Sequence, residues 1–239
     1  MNARIASALL VSLSLAGTAH AGPLQTAPQA RLVAVAFDPA ARVTETRFDA
    51  AGHVAQGYDL LRKGKQAQAV ELFDKVIADA DRRLAGDLRP RLCRDGGADA
   101  PDAVQVDAAL CEAHFGKGFA LIDLGRGDLA EAELRQASQM APRNAHFANE
   151  YAELFKARRS WERSHELFAH AWSVVDKSTS GPDASVAARA LRGMGYTKAA
   201  MGQYDEAEAL YRQSLQYDAR SEVARVELGN IARKKAIGS

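Results

Sequence analysis

The feature that most constrains this chain is a set of residue columns that move together. Four short stretches each carry a turn-like centre: Lys63-Gly64-Lys65, Leu124-Gly125-Arg126, Arg158-Arg159-Ser160 and Met201-Gly202-Gln203. Seven residues before each centre stands a small residue: Gly57, Gly118, Ala152 and Gly195. Five after it stand Ala69, Ala130, Ser164 and Ala207, then four later Phe73, Leu134, Phe168 and Tyr211, then three later Val76, Ala137, Ala171 and Ser214. Successive copies lie 61, 34 and 43 residues apart in every column, so the extra residues fall between copies and not inside them. A fixed internal period of this length is the signature of a repeat architecture.

The spacing predicts a unit of two antiparallel helices of about three turns each across a short turn. Small residues at the crossing let the two backbones approach. The aromatic or leucine column fills the gap between them. One such pair cannot bury its apolar faces alone, so pairs must stack. Adding the bare period to Gly195 lands on Gly229, in a helical stretch from Glu222 to Lys235. This reads as the first helix of a fifth copy that caps the stack, with Arg225, Arg233, Lys234 and Lys235 facing water.

The 34-residue unit with glycine, alanine, aromatic and proline columns resembles the tetratricopeptide repeat. The best copies are Cys111 to Asn144, closing on Pro142, and Ala188 to Ser221. There are departures: the early tryptophan of that family is replaced by His53, His114, Ala148 and Leu191, and its leucine before the small residue by Gln56, Lys117, Tyr151 and Met194. The resemblance implies an all-α, right-handed superhelical solenoid of antiparallel helix pairs. Its units are residues 50–83, 111–144, 145–178 and 188–221, with a cap at 222–239 and insertions at 84–110 and 179–187. In the first insertion Gly96-Gly97 and Pro101 mark a break, and a helix is expected from Pro101-Asp102 onward. Residues 22–49 match no unit; Arg31 to Phe37 is either an extended segment along the first helices or disordered.

The first 21 residues read as a leader. Arg4 gives a basic start, Ile5 to Gly17 is apolar, and Ala19-His20-Ala21 is a small-x-small cleavage site. A buried N-terminal helix is the alternative. The expectation is an exported protein, periplasmic or secreted. Cys93 and Cys111 are then an even pair in an oxidising compartment and read as a disulfide rather than two buried thiols. No other apolar run is long enough for a transmembrane segment. The chain has 31 Lys+Arg and 30 Asp+Glu; residues 1–21 hold Arg4 and no acid, so 30 face 30 in what remains. A neutral chain has no global field to draw nucleic acid, and no nucleic-acid partner is expected.

Motifs for chemistry fail on context. Gly125-Arg126-Gly127-Asp128-Leu129-Ala130 fits a dinucleotide fingerprint, but it follows a helical face instead of a strand. Arg126-Gly127-Asp128 within it is an integrin-type tripeptide by chance. His165 and His170 are five apart, which turns them about 140° from each other on a helix and spoils a zinc pair. No nucleophile elbow or phosphate loop occurs, so the expectation is no catalytic residue, no cofactor, no metal and no enzyme.

In stacked pairs the first helix of each unit lines the concave face. Away from the packing columns stand Val54, Tyr58 and Leu61; Phe115, Phe119 and Ile122; Asn149, Glu153 and Lys156; Arg189, Arg192 and Tyr196. The candidate partner-binding groove is Tyr58, Phe115, Phe119, Asn149, Lys156, Arg189, Arg192 and Tyr196, apolar in its first half and polar in its second. The opposing reading puts the phenylalanines in the core and leaves the arginines solvated. The family resemblance implies a protein or peptide ligand there. It also implies a clamp for a terminal carboxylate built from the residue types of Asn149, Lys156 and Arg192, although their spacing does not reproduce the family's clamp. The resulting functional expectation is an exported scaffold or adaptor, in envelope assembly or secretion. The alternatives are a regulatory subunit of a periplasmic enzyme, an unrecognised enzyme, or a self-associating spacer.

Overall fold

The structure is a computed structural model that describes residues 48–94 and 100–238. The leader at 1–21, the segment from 22 up to residue 47 and Gly96-Gly97 lie outside the described residues. The chain runs through α1 (Ala50–Arg62), α2 (Gln66–Arg83), β1 (Arg91–Cys93), β2 (Val104–Val106), α3 (Ala108–Asp123), α4 (Gly127–Met140), α5 (Ala145–Ala157), α6 (Trp161–Val174), α7 (Asp183–Ala200), α8 (Tyr204–Tyr217) and α9 (Glu222–Gly238). Each helix packs on its neighbours in sequence, pair upon pair, in an all-α solenoid.

The columns account for this packing. The centre of each turn adopts left-handed backbone: Gly64 at φ +70°, Gly125 at +71°, Gly202 at +79° and, in the third unit, Arg159 at +59°. That conformation ends the first helix and reverses the chain within three residues. The residue seven positions earlier then faces the knob of the second helix. A Cβ added to Gly57 would lie 2.5 Å from Phe73, and one added to Gly118 would lie 2.7 Å from Leu134. Phe73, Leu134, Phe168 and Tyr211 are all at most 1% exposed. Ser164, in a column otherwise of alanine, is fully buried, and its hydroxyl donates to the Ala152 carbonyl at 2.9 Å.

The same knobs also touch the next unit. A Cβ on Gly116 would meet Phe73 at 2.5 Å, and one on Gly193 would meet Phe168 at 2.5 Å. These glycines stand two residues before the small column of the following unit, a second column that the repeat alignment overlooks. In the third unit that position is Glu150, and the knob of the unit before it is the smaller Leu134. The packing differs accordingly: α1 packs on α3 and α5 on α7, while α3 and α5 come less close. Aromatic side chains fill that junction. Phe115 stacks on Phe147 with ring centroids 4.5 Å apart, and His146 lies 5.0 Å from Phe115.

The first insertion departs from expectation. No helix begins at Pro101-Asp102. Residues 104–106 form β2, which pairs in parallel with β1 in the register Arg91 to Val104, Leu92 to Gln105 and Cys93 to Val106. The helix starts only at Ala108, capped by the Asp107 carboxylate, which accepts from the Ala109 amide at 2.8 Å. The Cys93–Cys111 disulfide joins this ribbon to α3, with both cysteines buried in the core between units. The second insertion gives its last residues to α7, which begins at Asp183.

Two stability predictions follow from this geometry. Arg159 holds a backbone conformation that costs a side-chain-bearing residue about 1 kcal/mol. Replacing Arg159→Gly removes that cost, and calorimetry should show a melting temperature raised by about 2–4 °C. Removing the disulfide with Cys93→Ala and Cys111→Ala should lower unfolding free energy in urea by about 3 kcal/mol, from the loop of 18 residues it closes.

Candidate functional site

The first helices of the units share one face, and two clefts lie along it. The first, about 310 Å³, is lined by Tyr58, Leu61, Arg62, Phe115, Phe119, His146 and Glu150 from α1, α3 and α5. The second, about 330 Å³, is lined by residues of α5, α7, α8 and α9, among them Lys156, Arg192, Tyr196, Val223 and Glu227. Of the eight groove residues predicted, three line the first cleft and four the second. The remaining one, Asn149, lines neither.

The first cleft is aromatic and aliphatic. Phe119 is 37% exposed at its mouth. Tyr58 is half-buried, and its hydroxyl donates to the Glu112 carboxylate at 2.6 Å. Burial and then that acidic neighbour push the Tyr58 hydroxyl far above the usual tyrosine range, so it stays protonated. Phe115 is only 5% exposed, locked between Phe147 and His146, and belongs to the core as well as the cleft floor. As a contact residue for a partner it is corrected by that burial. Val54 is buried as well.

The second cleft is charged, and its cations are already engaged. Lys156 pairs with Glu153 and lies over the Tyr196 ring, 5.3 Å from its centre. Arg192 donates to Asp218 at 3.2 Å. Arg189 pairs with Glu150, and its Nε lies 3.7 Å from Glu153. Burial alone would lower the Arg189 pKa; the bond to Glu150 and the charges of Glu150 and Glu153 outweigh it and hold the guanidinium firmly charged. The Arg189–Glu150 pair stands between the two clefts, since Glu150 lines one and Arg189 the other.

Asn149 is the plainest correction. It is fully buried, and its amide donates to the Val186 carbonyl at 3.1 Å, tying α5 to α7. An inter-helix strut cannot meet a ligand. With Asn149 inside and both Lys156 and Arg192 paired internally, these residues do not form an open carboxylate clamp.

Several lining residues escaped the sequence. His146 and Glu150 enter the first cleft because the aromatic filling at the α3–α5 junction sets a spacing that the regular register does not foresee. Val223 and Glu227 come from α9, which reads in sequence as a solvent-facing cap. Its exposed Val223 (61%) and Val226 (57%) show an apolar strip beside the polar one. The histidines His165 and His170 serve separate contacts: His165 Nδ1 lies 3.0 Å from Thr197 Oγ1, and His170 Nε2 lies 2.8 Å from the Pro142 carbonyl. Among the described residues no cluster of three or more metal-ligating side chains occurs, and no helix is long and apolar enough to cross a membrane.

The bridge between the clefts has a measurable consequence. Glu150 is 9% exposed, so removing its partner strands a carboxylate in a poorly hydrated place. Arg189→Ala should lower stability by about 2 kcal/mol in urea unfolding. Adding Glu150→Gln should recover much of that loss, since the stranded charge is then gone.

Comparison with known proteins follows the same lines. Residues 188–221, the fourth unit, match the sequence family described as tetratricopeptide repeat. A search of curated proteins finds no match for the chain. Among solved structures, PilF of Pseudomonas aeruginosa is similar over 78% of this chain and 69% of its own, with a TM-score of 0.57 at 17% identity. MamA of Desulfovibrio magneticus RS-1 is similar over 78% of this chain and 85% of its own, with a TM-score of 0.55 at 14% identity. Identities this low speak for the fold alone. One unit, residues 188–221, thus matches the tetratricopeptide repeat in sequence, and the described helix pairs stack in the fold that these solved structures share.

Proposed function

We propose that this chain is an exported scaffold that holds a segment of a partner protein along its inner face. The observation that carries the reading is the pair of adjoining clefts, one apolar and one charged, formed by the first helices of successive units. Half-exposed aromatic side chains, Phe119 and Tyr196, stand at their mouths. Such residues offer a large contact area with few rotatable bonds, which suits them to anchoring a partner. The cations beside them are held by internal carboxylates, so the segment bound is recognised by its apolar side chains and not by a terminal carboxylate.

Export is supported by two independent features. One is the leader-like order of basic, apolar and small-x-small segments in residues 1–21. The other is the Cys93–Cys111 disulfide, a bond favoured in oxidising compartments. The setting proposed is the cell envelope, in assembly or secretion.

Affinity capture from an envelope extract tests the groove. The chain should retain a stoichiometric partner, and the double substitution Phe119→Asp and Tyr196→Asp should weaken that partner's binding at least roughly tenfold. Both side chains are well exposed, so the melting temperature should stay within about 2 °C of the unsubstituted chain. Full retention of the partner by the double variant sinks the groove assignment. Export is checked separately by the N-terminus of the native protein, expected at Gly22.

A further inference from the structure

Stacking helix pairs in register brings every turn between the first and second helix of a unit to one edge of the solenoid. Side chains confirm the adjacency of these turns from unit to unit. Gln66 at the start of α2 donates to Asp123 at the end of α3, at 3.3 Å. Arg158 in the third turn donates to Asp128 at the start of α4, at 3.0 Å. His165 in α6 meets Thr197 in α7, and Lys235 near the end of α9 bonds Asp205 and Glu208 of α8 at 2.5 and 2.9 Å. The edge is thus continuous from α1 to α9.

Its charges divide into two sets. Arg158, Lys198 and Lys235 are neutralised by carboxylates at the starts of neighbouring second helices. Lys63, Lys65, Arg126 and Arg159 are exposed and have no carboxylate partner among the described residues. Lys234 lies over the Tyr204 ring, 5.5 Å from its centre, with no acid beside it. Against them on this edge stand Glu162, which no cation meets, Asp123, and the second carboxylate at each of Arg158 and Lys235, which face Asp128 with Glu131 and Asp205 with Glu208. Two leucines flank Arg126 in the open: Leu124 is 39% exposed and Leu129 is 57% exposed.

We propose that this turn edge docks on an anionic lipid surface. Unpaired cations repeated along one line meet anionic headgroups, each contributing to the attraction within a Debye length of the surface. Exposed leucines between the cations fit the boundary between headgroups and acyl chains, whereas a purely ionic polymer would leave them in water. Docked by this edge, the solenoid stands on the membrane with its clefts open to the side. The inference is independent of what the clefts bind.

Vesicle co-sedimentation of the full chain tests it. The probes are vesicles of phosphatidylcholine containing phosphatidylglycerol, with pure phosphatidylcholine vesicles to measure the contribution of the apolar leader. The chain should partition more strongly onto the anionic vesicles, and added salt should weaken that excess. The triple substitution Lys63→Gln, Lys65→Gln, Arg126→Gln should reduce the excess by about a hundredfold. A second triple, Arg82→Gln, Arg89→Gln, Arg220→Gln, has the same net charge but lies on the opposite edge, and should keep most of the binding. Equal partition onto both vesicles overturns the proposal, as does equal loss in the two triples. Binding to a polyanionic oligosaccharide in place of vesicles overturns it as well, in favour of a soluble polyanion.

Discussion

Everything in this solenoid hangs on one contact: a bulky side chain of the second helix seated against backbone of two first helices at once. Phe73 presses on Gly57 of its own unit and on Gly116 of the next. Phe168 meets Gly193 of the next unit in the same way. Burying a phenylalanine this fully removes enough apolar surface to be worth about 2–3 kcal/mol. Close packing makes the site unforgiving, since a methyl group on either glycine would need the ring to move. The knob therefore fixes the internal geometry of a unit and the step to the next in a single interaction. That is why the columns stay in phase while the connections between units vary.

Where the knob shrinks, the solenoid changes character. After Leu134 the position that is glycine in other units is Glu150, and α5 stands off from α3. Phe115, Phe147 and His146 fill the space. The first cleft opens beside that filling, and Arg189 reaches across from α7 to hold the Glu150 carboxylate. A second substitution in the family pattern is handled in the same way. His114 occupies the expected tryptophan position at 9% exposure, and Glu133 meets its Nδ1 at 2.7 Å. Burial would raise the Glu133 pKa, but His114 and Lys117 together keep it below the ordinary range. A polar group replaces a core aromatic there because Glu133 of α4, itself held by Lys117, meets it.

This division explains what could be read in the residues themselves. Columns that set backbone contact were legible, because only small residues fit opposite a knob and only a left-handed residue fits the turn. The line of Tyr58, Phe119, Lys156 and Tyr196 along one face followed from the same register. Asn149 and Phe115 did not, because periodicity assigns a face but not the depth of neighbouring side chains. The rings of the irregular α3–α5 junction bury Phe115, and Asn149 is turned inward to the Val186 carbonyl of α7. Internal pairing of Arg189 and Arg192 was hidden for a related reason: their carboxylate partners, Glu150 and Asp218, lie outside their own helix. The parallel ribbon was hidden too, since two strands of three residues carry almost no pattern of their own.

The ribbon also shows how an insertion between units leaves the stack intact. The columns shift by 27 residues beyond the bare period, yet Gly116 still seats on Phe73 as tightly as Gly57 does. Loop closure grows only slowly more costly with length, by about 0.6 kcal/mol per doubling, so the knob contact dominates. The loop then acquires its own anchors. Arg91 bonds Asp81 of α2 at 2.5 Å, β1 pairs with β2, and the disulfide fastens β1 to α3. Each anchor falls on a helix already positioned by the knob, so the insertion adds a buttress between the first two units without changing the step between them. The apolar cleft that begins at Tyr58 takes its walls from α1 and α3 of these two units and from α5 of the next.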